Sequence, residues 1–120
     1  MRCLTVMLLA LAILACQSEA SKAEKARNEL ASWAAAGAKL SREWSRGTVR
    51  KPYVKTTVKV ALASLQQLAD PLKSDQRASG QRSTVTSLFE EFSQRVERDD
   101  RSHDPRFAAI SEELQRATKR

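Results

Sequence analysis

The chain has few side chains that could carry catalytic or metal chemistry. Its 120 residues include one histidine, His103, and two cysteines, Cys3 and Cys16. Zinc sites need several such ligands, and covalent catalysis needs a nucleophile beside a base. His103 lies in a polar segment beside Asp104, where a solvated or helix-capping role is the simpler interpretation. The sequence therefore predicts a non-enzymatic protein without a metal or cofactor.

Paired carboxylates do not change this prediction. Adjacent acidic residues occur three times, as Glu90-Glu91, Asp99-Asp100 and Glu112-Glu113. Successive residues of a helix point in different directions, because residues three and four apart share a face. Their spacing therefore does not predict a carboxylate dyad. The sequence also lacks a glycine-rich phosphate loop, a Cys-x-x-Cys pair and a His-Glu-x-x-His motif.

The first sixteen residues have the pattern of an export signal. Fourteen of them are apolar, and the positive charge of Arg2 precedes a run from Leu4 to Ala15 that is apolar apart from Thr5. A bilayer span needs about 20 apolar residues, so this run is too short for a transmembrane helix and fits a secretory signal peptide. A buried core helix is a weaker alternative because the run has no polar face.

The end of this run, Ile13-Leu14-Ala15-Cys16, resembles the lipobox of bacterial lipoproteins, in which an aliphatic, a variable and a small residue precede the modified cysteine. The commonest lipobox instead has Leu three residues before the cysteine and a small residue two before it. The resemblance covers residues 1–16 and implies cleavage before Cys16, with lipid on that residue. We therefore expect a signal peptide over 1–15, a tether over 16–21 and a domain over 22–120.

The resemblance also implies a location. Asp directly after the cysteine commonly signals retention in the inner membrane, whereas this chain has Gln17. An outer-membrane anchor facing the periplasm is therefore expected in a Gram-negative bacterium. The alternative is ordinary cleavage after Ala20, which would release a soluble periplasmic or secreted protein. Cys3 is removed in both cases, so no intramolecular disulfide can form.

Positive charge is the other chemical feature of the sequence. There are 21 Lys and Arg residues against 14 Asp and Glu residues, a formal net charge of +7. Residues 39–59 contain seven basic residues and one acidic residue, Glu43. The candidate site is a basic corner of Arg46, Arg50, Lys51, Lys55 and Lys59. Because the three lysines are four residues apart, they form one row on a helix.

A row of like charges indicates an anionic partner, since such pairs repel by roughly 0.2–0.5 kcal/mol each. Peptidoglycan, anionic lipid or an envelope protein would suit this row. The alternative is a solvated face paired with Asp99, Asp100 and Asp104 at the same end of the domain. Nucleic acid is not expected, because Tyr53 is the single aromatic residue nearby on the second helix and the chain is predicted to be exported.

Helical periodicity runs through the first half of the domain. Apolar steps of three and four predict a first helix over Lys22–Arg46, with a Ser21/Glu24 capping box at its start and Gly47 at its end. Close packing is expected where this helix is rich in small residues, at Ala34, Gly37 and Ala38. Its tryptophans, Trp33 and Trp44, are expected to pack in the core or an interface.

Three further helices follow. Pro52 starts the second, and Asp70-Pro71 ends or kinks it. A polar loop with room for a short turn of helix is predicted over 70–82, a third helix over Ser83–Arg98, and a connector over 99–103. Asp104 followed by Pro105 predicts the start of a fourth helix. Together these elements predict an all-α, antiparallel up-down bundle of three to four helices.

Overall fold

The computed structural model describes the backbone of residues 2–118 and the side chains of residues 20–117. Over this range the chain forms helices and connecting turns and contains no strand. The helices are α1 (Arg2–Arg46), α2 (Lys51–Gln67), α3 (Gln76–Glu97) and α4 (Arg106–Thr118). The all-α fold class is confirmed.

The helices run up and down in succession. Lys55, near the start of α2, pairs with Glu97 at the end of α3. At the other end of this helix pair, the Leu65 carbonyl accepts a hydrogen bond from Arg82 near the start of α3. Helix α4 packs most extensively along α1, and α2 along α3. The expected antiparallel bundle is therefore observed.

The start of the first helix differs from the prediction. Helix α1 begins at Arg2, so Ser21 lies inside it and the predicted capping box does not start a helix. Residues 16–20 contain neither proline nor glycine, so nothing in their backbone chemistry interrupts the helix. The side chain of Cys16 lies outside the described residues, and the division into signal peptide, tether and domain stays a prediction.

The end of α1 confirms the prediction for Gly47. Its φ of +74° is in the left-handed region that glycine adopts without a steric penalty. The amide of Gly47 donates to the Trp44 carbonyl, and that of Thr48 to the Glu43 carbonyl, at 3.1 and 3.0 Å. These two bonds make a Schellman motif, which satisfies carbonyls left without helical partners.

The third helix starts earlier than predicted, and the loop expected over 70–82 is wrong in its second half. The Asp75 carboxylate accepts a 3.1 Å bond from the Ala78 amide and caps α3 at Gln76. Ala78 and Gln81 are buried in the first turns, whereas Gly80 is exposed. Capping contributes about 1 kcal/mol, which offsets the similar cost of a glycine inside a helix.

The fourth helix starts within one residue of its prediction. The Asp104 carboxylate accepts a 2.9 Å bond from the amide of Arg106, and the Pro105 carbonyl accepts one of 3.1 Å from Ala109. The connector predicted over 99–103 lies outside the helices, as expected.

Close packing of α1 and α4 depends on a glycine. A Cβ on Gly37 would lie 2.5 Å from the Phe107 ring and 2.9 Å from that of Phe89. These two rings meet edge to face, with centroids 4.9 Å apart. Trp44 is buried in the same core and Trp33 is half-buried against it, so both tryptophans pack as predicted.

Candidate functional site

Two lysines of the α2 row contact the end of α3. Lys51 Nζ donates to the Glu97 carbonyl at 3.2 Å and to Asp99 Oδ1 at 3.3 Å. Lys55 Nζ lies 2.6 Å from Glu97 Oε1, and this hydrogen bond and its charge lower the pKa of Glu97. Two members of the predicted basic corner therefore join α2 to the end of α3.

The end of α3 explains why these lysines lie there. Asp99 adopts a left-handed φ of 55°, and the Asp100 amide donates to the Arg95 carbonyl at 2.8 Å. This motif ends α3 with its last carbonyls exposed toward α2. The negative end of a helix dipole attracts cations, so Lys51 meets both a carboxylate and the dipole.

Only one of the expected acidic partners pairs with the row. Asp100 Oδ1 accepts a 3.0 Å bond from the Ser102 amide, a contact that lowers the pKa of Asp100. Asp104 is buried and pairs with Arg106 and Arg95, with nitrogen–oxygen distances of 2.7 and 3.1 Å. The prediction of a fully paired lysine face was therefore right for Asp99 and wrong for Asp100 and Asp104.

The remaining cations of the basic corner are free. Arg46, Arg50 and Lys59 are exposed and form no ion pair with any described residue. Lys59 belongs to the α3 side of α2, where it lines a shallow cleft with Lys55 and Ser93. The structure thus separates the predicted corner into a lysine row beside α3 and two free arginines.

Two further cations lie outside the predicted basic corner and belong to a different surface. Lys39 and Arg42 are exposed and, within the described side chains, also unpaired. Together with Arg46 they follow helical steps of three and four and lie on one side of α1. That spacing was visible in the sequence, but exposure and pairing depend on the tertiary structure.

The packing of α1 shows which way this side points. Gly37 and Trp44 lie seven residues apart on one flank, against Phe107 of α4 and Asp100 of the connector before it. Lys39 is two residues from Gly37, and Arg46 two from Trp44, which is about 200° around a helix. The three cations therefore lie on the side of α1 that faces away from the core.

Two exposed apolar side chains lie on the neighbouring helix α2. Tyr53 and Val60 are 59% and 52% exposed and are the large apolar residues most open to solvent in the described part of the chain. They are seven residues apart on α2 and, by helical spacing, on the flank away from Lys51, Lys55 and α3. Since α2 packs only against α3 and α1, this flank is the one toward α1. We call Lys39, Arg42, Arg46, Tyr53 and Val60 the α1–α2 face.

A groove lies on the other side of the bundle, between α3 and α4. It encloses about 500 Å³ and has an apolar floor that includes Leu88 and Ile110. Its rim is polar, with the hydroxyls of Ser83, Thr84 and Ser87 and the ion pair of Glu91 with Arg106. This arrangement could hold a small amphipathic molecule.

His103 and the adjacent carboxylate pairs do not come together in one cluster. His103 is exposed in the connector before α4. Members of adjacent carboxylate pairs bind different groups, as Glu112 pairs with Arg116 and Glu113 with Arg77. No group of three or more His, Cys, Asp or Glu side chains positioned to hold a metal occurs among the described residues.

None of the helices, as far as the chain is described, has the length and apolar character needed to cross a membrane. The fold and surface together define a small helical bundle with a basic side. Comparison with protein families, curated proteins and solved structures finds no match for this chain.

Proposed function

We propose that this chain is a small exported lipoprotein of the bacterial cell envelope, anchored through lipid on Cys16, whose helical bundle is a non-enzymatic binding or structural module. Its partner is anionic. The observation that carries the proposal is the set of unpaired cations at the end of α1, downstream of the lipobox-like sequence on the same chain. A lipid and a basic surface provide the two signals that stable attachment requires.

The distance between these two signals supports an anchored module. From Cys16 to the cations between Lys39 and Arg46 helix α1 rises roughly 35–45 Å, at 1.5 Å per residue. The cations can therefore meet a partner well away from the lipidated residue. An outer-membrane location facing the periplasm follows from Gln17 and is part of the same proposal.

Mass spectrometry of the mature protein from its native membrane tests the anchor. We expect acyl groups on Cys16 as the first residue, and their loss in a Cys16→Ala variant. Cys3→Ala is the matched control, because Cys3 belongs to the segment expected to be discarded, and it should leave acylation unchanged. An unmodified N-terminus at Ser21 would contradict the proposal.

The groove between α3 and α4 favours one second candidate, a soluble periplasmic or secreted helper that binds a small apolar ligand or a partner helix. Its apolar floor and polar rim suit such a molecule. An apolar fluorescent probe tests this function. We expect Ala109→Trp, at the groove, to displace the probe, and Ala108→Trp, exposed beside it, to leave binding unchanged. Equal binding in both variants would exclude the groove as the site.

A further inference from the structure

We propose that the α1–α2 face binds anionic phospholipid headgroups and lays the bundle along the membrane that holds its lipid anchor. This inference rests on the proposed function and names the partner of the anchored module. It assigns contact to Lys39, Arg42 and Arg46, beside Tyr53 and Val60, and removes Lys51 and Lys55 from the binding set.

The charge of the bundle is divided between its sides, which supports contact along a side. Residues 30–67, which span the second half of α1 and all of α2, contain seven basic residues and one acidic residue, the half-buried Glu43. Residues 76–118, which contain α3 and α4, have eight acidic and seven basic residues. An anionic surface therefore attracts the α1–α2 side more strongly than the nearly neutral α3–α4 side.

Near the tether the charges of α1 balance. Lys22 and Lys25 are exposed there together with Glu24 and Glu29. The attraction therefore comes from the second half of the helix, where Lys39, Arg42 and Arg46 cover about 10 Å of its length.

The exposed apolar side chains distinguish a membrane from a carboxylate polymer. Tyr53 and Val60 extend over about 10 Å of α2 on the flank toward α1. A bilayer surface accepts both groups, because aromatic rings settle at headgroup level and basic side chains pair with lipid phosphates. A polymer that offers carboxylates alone gives Val60 no apolar surroundings.

The position of the tether allows this orientation. Residues 16–21, the predicted tether, are part of α1, the helix that carries the three cations. A bundle lying on α1 and α2 can therefore place the lipid and the cations at one membrane surface. The α3–α4 side, with its groove and most of the carboxylates, then faces away from the membrane and stays open to other molecules.

The experiment uses full-length protein that has been processed in cells, purified from membranes and shown by mass spectrometry to carry lipid on Cys16. A single cysteine replaces Thr57, which lies between Tyr53 and Val60 on the same face of α2 and is half-buried. It carries a polarity-sensitive dye, and the protein is reconstituted in vesicles that contain a lipid-borne quencher. Ser87→Cys on α3 is the control position, exposed at the groove.

We expect strong quenching of the Thr57 dye in vesicles that mix phosphatidylcholine with phosphatidylglycerol, and little in phosphatidylcholine alone. The Ser87 dye should respond in neither. Reversing Lys39, Arg42 and Arg46 to Glu should reduce the flat population roughly 100-fold, since each cation contributes about tenfold or less. Reversing Lys73, Arg98 and Arg116, exposed cations elsewhere, should leave the signal unchanged.

Two results would overturn the inference. The first is equal quenching at Thr57 in both kinds of vesicle. The second is binding to purified peptidoglycan that requires the same three cations while the Thr57 dye stays in water, which would make peptidoglycan the partner. Loss of acylation in the starting material would instead defeat the proposed function, so the two failures are separate.

Discussion

The indole N–H of Trp44 donates a 2.7 Å hydrogen bond to the backbone carbonyl of Asp100. It joins the last turns of α1 to the connector before α4. Arg101 closes the same contact, with its guanidinium 4.1 Å from the centre of the indole ring and a 2.9 Å bond to the Trp44 carbonyl. The end of α1, which carries Arg46, is thereby fixed to the rest of the bundle.

Trp44→Phe keeps an aromatic ring in the core but removes this bond. We expect a loss of about 1–3 kcal/mol in the free energy of unfolding, because the part-buried Asp100 carbonyl loses its donor. Urea unfolding of the mature protein, followed by circular dichroism, measures it. Arg101→Ala should cost about 1 kcal/mol, since its cation–π contact is at the surface. Equal stability of Trp44→Phe and the native protein would show that the bond contributes nothing.

A matched pair of glycines tests the packing of α1 against α4. Gly37→Ala places a methyl group against Phe107 and Phe89, and should destabilise the bundle by about 1–3 kcal/mol. Gly80→Ala meets nothing within 4 Å in helix α3 and should stabilise it by about 0.5–1 kcal/mol. Thermal unfolding of both variants measures the contrast. Changes of the same sign would contradict the close approach at Gly37.

These glycines also show what the sequence could predict. Small residues around Gly37 indicated close packing, and Gly47 marked the end of α1, because both effects depend on local backbone chemistry. The polar residues around Gly80 predict a loop, although Asp75 upstream caps the helix that contains this glycine. A single glycine in an exposed helix costs about 1 kcal/mol, which capping and burial outweigh.

The candidate site was less predictable, since it depends on which cations find partners. The spacing of Lys51, Lys55 and Lys59 correctly placed them in one row. The up-down topology placed Asp99 at the same end of the domain as the row, but no local pattern identified Glu97 as the partner of Lys55, because that contact joins residues more than 40 positions apart. Because Lys51 and Lys55 are paired, the unpaired cations of α1 form the candidate site. The spacing of those cations was equally visible in the sequence.

The buried carboxylate of Asp104 predicts a fall in stability in acid. Hydrogen bonds from the Arg106 side chain are the largest of the effects that lower its pKa below the ordinary value of 3.8. As the pH falls, the unfolded chain therefore binds the Asp104 proton at a higher pH than the folded chain does. The stabilisation by Asp104 is complete above the ordinary pKa of 3.8 and is lost as the pH falls below it. Glu97 and Asp100, whose pKa values are also lowered, act in the same direction.

Asp104→Asn should flatten the acid side of the pH–stability profile, as measured by urea unfolding across the acid range. Asp104→Ala should cost about 3–5 kcal/mol at neutral pH, because Arg95, only 14% exposed, loses its charged partner. Glu91→Gln is the control. It removes the exposed partner of the same Arg106 and should cost about 1 kcal/mol or less. If the stability of Asp104→Asn fell in acid as steeply as that of the native protein, other carboxylates would be the cause of the acid sensitivity.

Ser41 offers a route to a more stable bundle. Its side chain is 1% exposed, and its hydroxyl has no hydrogen-bond partner in the structure. A buried hydroxyl without a partner carries a desolvation cost, so Ser41→Ala should raise the free energy of unfolding by about 1 kcal/mol. Ser32→Ala, on the exposed side of the same helix, should change it by about 0.5 kcal/mol or less. If Ser41→Ala destabilised the protein while Ser32→Ala did not, the Ser41 hydroxyl would have to bind a group such as a buried water.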